Sequence, residues 1–231
     1  MSNSTTNEKR WFEFLSLSLL LGLGTAIATL IFFGWLADEV LEGETRHFDE
    51  ATRAAIHQLA SPTLTIIMRG FSFVGSTIAL SIGTIIVVVR FAMRKWGREA
   101  KLFAITMIGA GLLNITLKLA FKRARPEPFF NLSLPETYSF PSGHSLTSAV
   151  FFGALAALLT ARIQSKRVRA AIWIVSTLMF LTIGFSRIYL GVHHTTDVIA
   201  GFAAALIWIL VVRFVEMQLR RRKLRKTVRQ D

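Results

Sequence analysis

Three short clusters along the chain hold the residue types that phosphate chemistry uses: Lys118-x6-Arg125-Pro126, Pro141-Ser142-Gly143-His144, and Ser186-Arg187-x5-His193-x3-Asp197. Together they supply three cations, two histidines, one carboxylate and a small-residue turn. Arginine presents a planar fork to two phosphate oxygens, and lysine a point charge. Lys118 and Arg125 lie two helical turns apart, so both can point from one face at the end of the third apolar run, with Pro126 turning the chain away. Ser142 can cap the run that follows it. Gly143 removes a side chain where an anion must approach the backbone, and free amides at a helix start bind phosphate. If a helix begins near His193, His193 and Asp197 share one of its faces. A carboxylate on one ring nitrogen then leaves the other nitrogen free to attack. His144 stands at the edge of the same pocket, within reach of a leaving oxygen. Arg187 adds the third cation.

The neighbouring candidates read differently. His194 is also close to Asp197, but it does not satisfy the Arg-x5-His-x3-Asp spacing and reads as structural. His47 and His57, in the segment joining the first two apolar runs, read the same way. Lys122 and Arg123 read as snorkelling anchors at a span end.

The elements that must position these clusters are membrane helices. The chain has 231 residues, 52% of them hydrophobic and only 18% charged, where soluble domains carry about 25% charged residues. Six spans are expected, at about 14–36, 66–89, 102–121, 144–161, 170–187 and 196–214. The fold class is therefore all-α: a polytopic membrane protein of six transmembrane helices. It forms a single domain over 1–231 with its core at about 12–216 and a basic cytoplasmic tail at 217–231. The run from Phe14 to Ala37 follows Lys9-Arg10, but it exceeds the ~7–15 residues of a signal-peptide core and no small-x-small pattern follows it, so it reads as a retained span. Between the first two spans, Phe48, Thr52, Ala55, Ile56 and Leu59 recur at helical spacing, with Asp49, Glu50 and Arg53 on other faces. That pattern predicts a short helix, either lying at the outer interface or packed on the bundle as an ordinary connecting helix. Counted between charges or His144, each of the last four runs encloses fewer than 18 residues. The shortening groups belong to the three clusters, which suggests a pocket let into one rim of the bundle.

Charge orients the bundle. Arg90, Arg94, Lys95, Arg98 and Lys101 fall in one loop, and Arg162, Lys166, Arg167 and Arg169 in another on the same side. Asp38, Glu39, Glu42 and Glu44 lie opposite. Positive-inside bias puts both termini in the cytoplasm and the clusters on the outer face of the cytoplasmic membrane. The net charge of +13 does not point to nucleic acid, because the cations flank apolar segments or gather in the tail from Arg220 to Lys226. That tail suits the anionic lipids of the cytoplasmic leaflet. With no cysteine there is no disulfide or thiolate metal site. The outer acids are not set with histidines at metal-ligand spacing, so neither metal nor cofactor is expected.

The three clusters, in this order, resemble the type 2 phosphatidic acid phosphatase family, whose pattern Lys-x6-Arg-Pro, Pro-Ser-Gly-His, Ser-Arg-x5-His-x3-Asp is matched at every defined position. The resemblance is close over about 100–217, and vanadium-dependent haloperoxidases share the same cradle. It implies a metal-independent phosphatase working through a phosphohistidine. His193 would be the nucleophile, Asp197 its orienting group, and His144 the group that protonates the departing oxygen and then activates water. Lys118, Arg125, Arg187, Ser142 and Gly143 would hold the phosphoryl oxygens. The implied substrate is a membrane lipid phosphate or pyrophosphate, of the phosphatidate, phosphatidylglycerophosphate or undecaprenyl pyrophosphate type. Two other readings stand beside it: a vanadate-dependent oxidant using the same cradle, and a non-catalytic lipid-binding or transport protein.

Overall fold

The computed structural model describes residues 3–130, 132 and 137–227, with side chains described between 21 and 220. Within these limits the chain is all helix, with no strand among the described residues. The helices are α1 (Asn3–Glu42), α2 (Arg46–His57), α3 (Pro62–Val74), α4 (Thr77–Met93), α5 (Gly97–Phe121), α6 (Gly143–Thr160), α7 (Lys166–Tyr189) and α8 (Thr195–Thr227). The N-terminal cations Lys9 and Arg10, and the tail side chains beyond Arg220, lie outside the described side chains.

Five of the helices, α1 and α5 to α8, contain a stretch long and apolar enough to cross a membrane. The sixth expected run, 66–89, is not one helix. It is α3 and α4, which pass the same test only together and are bent by 53° at their junction. The break has local causes. Ser76 caps α4 by accepting the Ala79 amide at 3.2 Å. A Cβ on Gly75 would lie 2.3 Å from Ile183 Cγ2, so α3 and α7 meet across a residue that can carry no side chain.

The expected shortness of the last four spans holds only for α6, at 18 residues; α5, α7 and α8 run to 25, 24 and 33. Lys118, Arg187 and Asp197 sit inside helices rather than beyond their ends. They are tolerated there because each has a polar partner within the protein.

α6 is the hub of the bundle, packed against α5, α7 and α8, while α1 covers α8 and α3 covers α7. Ala149, Ala200, Ala203 and Ala204 are small enough to let backbones close up, and Leu146 and Val150 fill the seam with no exposure. The tightest approach is at Gly201, where a Cβ would sit 2.7 Å from the carbonyl oxygen of Ser142. That neighbour is backbone and cannot swing aside. Gly201→Ala is therefore expected to destabilise by about 1–3 kcal/mol, measured as a lowered midpoint of thermal unfolding in detergent.

At the far end of the bundle the two basic loops are tied together. Arg162 pairs with Glu99 at 2.6 Å and lies over the Trp96 ring at 4.4 Å, and Arg98 pairs with Glu216. Glu99 and Lys118 stand at opposite ends of α5, about 28 Å apart at 1.5 Å per residue. The basic loops and the three clusters thus occupy opposite ends.

α2 exists as expected, but its faces are not those that the apolar spacing indicated. Phe48 is exposed, whereas Asp49 is the fully buried residue of the helix. The inward acid is stable because it meets a largely covered arginine, Arg123.

Candidate active site

α7 ends in a Schellman motif that sets up one corner of the site. The amide of Val192 bonds to the Arg187 carbonyl at 3.1 Å, and that of Gly191 to the Ile188 carbonyl at 2.9 Å. Gly191 has φ +73°, and a Cβ there would meet the backbone nitrogen of Phe129 at 2.6 Å, so the turn needs a glycine. Arg187 on the last turn and His193 just past the motif are thereby held at the same end.

His193 is not on α8, which starts at Thr195. The expected shared helix face is replaced by a capping arrangement. Asp197, in the first turn of α8, reaches back with Oδ2 to accept the His194 amide at 2.9 Å, as the third residue of a capping box does. The same oxygen lies 3.2 Å from His193 Nδ1, and both side chains are essentially inaccessible. Ser139 Oγ donates to it as well.

With Nδ1–H facing a carboxylate, the lone pair of the neutral ring is on Nε2. Arg125 Nη1 donates to that atom at 3.1 Å. Burial pushes the His193 imidazole down to about 3, against the pull of Asp197. The ring is accordingly neutral near pH 7. A neutral, oriented imidazole with its free nitrogen beside a guanidinium has the chemistry to attack an electrophile next to a group able to bind an anion.

The cations converge from different elements. α5 ends at Phe121, and Lys122 takes the left-handed conformation at its C-cap, so Arg125 lies beyond the helix and does not share a helical face with Lys118 as the spacing suggested. The two reach the same strap instead. Lys118 Nζ donates to the Tyr138 carbonyl, while Arg125 donates to Thr137 O at 2.7 Å and Thr137 Oγ1 at 3.0 Å. Arg187 is buried, donates to Ser72 Oγ and leaves its Nε without a partner.

Ser142 is the N-cap of α6, and its own amide bonds to the Asp197 carbonyl at 2.9 Å, which joins the cradle turn to α8. Next to Gly143 the structure places a side chain: a Cβ there would come within 3.0 Å of the Asn114 amide group. His144, in the first turn of α6, is half-buried and within electrostatic reach of Arg187, His193, Arg125 and Lys118. Its ring also adjoins Gly75 at the α3–α4 break. All eight expected residues therefore gather at one end of the bundle.

The structure overturns a further expectation at the site. Arg123 is no snorkelling anchor: it is buried to 15% exposure and bridges Asp197 and Asp49 at 2.7 and 2.8 Å. Sequence reasoning also missed Ser139, Ser72 and Asn114. Asn114 alone carried a usable signal, because it lies one turn before Lys118 and hence on the same face. Among the described residues no group of histidines and acids is arranged to hold a metal ion.

Apolar helices of spanning length mark a multi-pass membrane protein, and a cluster of cations and histidines lies at one end of its bundle. The chain belongs to the PAP2 superfamily, whose sequence profile matches residues 99–220. It is 31% identical to the phosphatidylglycerophosphatase B of Bacillus subtilis over 84% of this chain and 96% of that one. It is 37% identical to the lipid A 1-phosphatase of Rhizobium etli over 42% of each chain. Among solved structures, a transmembrane PAP2-type phosphatidylglycerolphosphate phosphatase from Bacillus subtilis superposes with a TM-score of 0.77 at 28% identity, covering 84% of this chain and 96% of that one.

Proposed function

We propose that this protein is a lipid phosphatase that hydrolyses a phosphate monoester or pyrophosphate of a membrane lipid through a phosphohistidine. The observation that carries the reading is His193, held by Asp197 at Nδ1 with Nε2 turned to Arg125. In the first step Nε2 attacks phosphorus, the P–O bond to the lipid breaks, and His144 gives the leaving oxygen its proton. In the second, water attacks phosphorus as His144 takes its proton, the P–N bond breaks, and inorganic phosphate leaves with the His193 imidazole restored. Lys118, Arg125, Arg187, Ser142 and the Gly143 amide take up charge on the phosphoryl oxygens, where preorganised donors stabilise the transition state most. No step needs a metal ion.

The relation to phosphatidylglycerophosphatase B extends over most of both chains, so phosphatidylglycerophosphate is the first substrate to test. In this reading α3 and α4 form one broken span, which makes six, and α2 lies in the outer interface. Both termini are cytoplasmic and the site faces outward, supported by the basic loops gathered at the opposite end. The tail after Arg220 meets anionic lipids of the inner leaflet.

Purified protein in mixed micelles, given phosphatidylglycerophosphate, phosphatidate, lipid A and undecaprenyl pyrophosphate in parallel, is expected to release phosphate fastest from the first. Release should persist in chelator and stop with vanadate, which mimics the phosphoryl transition state. Loss in chelator that a divalent metal restores, or no release from any of the four, would overturn the proposal.

A further inference from the structure

We infer that Arg123 and Asp49 are positioning residues: Asp49 holds the Arg123 guanidinium, and Arg123 fixes the plane of the Asp197 carboxylate so that it can orient His193. The inference rests on the phosphatase reading above. The residues come from three separate elements. Asp49 is on α2, Arg123 follows α5, and Asp197 is in the first turn of α8. Arg123 spans the two acids with different nitrogens, Nη1 to Asp197 Oδ1 at 2.7 Å and Nη2 to Asp49 Oδ2 at 2.8 Å. Thr196 closes the ring. It accepts from Arg123 Nη1 at 2.9 Å, while its hydroxyl and amide donate to the two Asp49 oxygens at 2.7 and 2.9 Å.

The consequence falls on Asp197. Its Oδ2 serves His193, the His194 amide and Ser139, so Oδ1 is the only oxygen through which the carboxylate plane can be set from behind. Arg123 occupies it. A carboxylate pinned at one oxygen alone can pivot about its last side-chain bond, and that pivot would carry Oδ2 away from Nδ1. Arg123 also accepts the Ser139 amide on its carbonyl at 2.8 Å, so it places the second donor to Oδ2 as well. Both acids are buried, with side chains 0–1% exposed, and a buried carboxylate without a partner is costly. Asp49 meets no expected reacting group. Its burial makes sense as the anchor that stops Arg123 from turning.

The test uses the full-length protein and phosphatidylglycerophosphate in mixed micelles, with turnover expressed per folded molecule. Arg123→Gln is expected to lower kcat about a hundredfold, the scale of a small misplacement of a reacting group, with KM within about threefold. Arg123→Lys should recover about tenfold of that loss, since it restores the charge without the fork. In an Asp197→Asn background Arg123→Gln should cost less than about threefold, because two residues acting through one another are not additive. Asp49→Asn, which leaves Arg123 paired with Asp197, should cost about tenfold in kcat.

A kcat for Arg123→Gln within threefold of the parent, or an undiminished loss in the Asp197→Asn background, overturns the inference. If Arg123→Gln does not accumulate as folded protein, Asp49→Asn decides alone, and unchanged turnover there overturns it. His193→Ala is assayed alongside. Activity surviving in His193→Ala sinks the phosphatase reading itself, a result separate from any behaviour of Arg123.

Discussion

His193→Ala is expected to lower phosphate release by about ten-thousand-fold or more, the scale seen when a covalent nucleophile is removed, while His194→Ala stays within about threefold of the parent. The two rings are adjacent in sequence, and their surroundings separate them. His193 is fully buried between Asp197 and Arg125, with Nε2 directed at the cation. What His194 contributes to the site is its backbone amide, which bonds to Asp197 Oδ2 at 2.9 Å. Alanine keeps that amide. The His194 ring shows a buried Nδ1 with no partner, so its loss removes no bond from Nδ1. Phosphate release from the two purified variants, measured in the same micelles, checks the pair. The reverse result would move the nucleophile by one residue and leave Asp197 holding the wrong ring.

Residue types and order alone picked out eight residues that the structure gathers at one end of the bundle, and the reason is physical. Phosphate chemistry needs cations, a small turn and an imidazole–carboxylate pair, and such residues are conspicuous beside apolar runs. The geometry between them was less legible. Spacing implied that His193 and Asp197 share a helix face and that Lys118 and Arg125 do likewise. In fact both pairs straddle a helix end, at Thr195 and Phe121. Spacing constrains two residues only while the backbone between them stays helical.

Arg123 and Asp49 were misread for a related reason. An arginine at a span end and an acid on an amphipathic helix both look solvated until the partner, 74 residues away, is brought alongside. The α3–α4 break was hidden too, because the run 66–89 is apolar enough on average to read as one span despite Arg69 and the Gly75-Ser76-Thr77 stretch. Only packing shows that Gly75 must admit Ile183.

The second large effect is expected at Arg125. Arg125→Ala should lower kcat by about 10²–10³-fold, the usual cost of losing one donor to developing transition-state charge. Arg125→Lys should recover part of this but not all, because a point charge cannot replace a fork. In the structure Arg125 holds four bonds: two to Thr137, one to the Val192 carbonyl and one to His193 Nε2. In the proposed mechanism the bond to Nε2 must give way before His193 attacks, and the same Nη1 is then free to meet a phosphoryl oxygen beside it.

A pH profile tests this double role. Burial is the main force holding the His193 ring neutral, and the charges of Arg125 and Arg187 add to it. Removing the Arg125 charge raises the proton affinity of His193, so the acid limb of kcat/KM should move to higher pH in Arg125→Ala and stay in place in Arg125→Lys. A change confined to KM, with kcat and the acid limb unmoved in both variants, would mean that Arg125 only binds the ground state and does not act on the nucleophile.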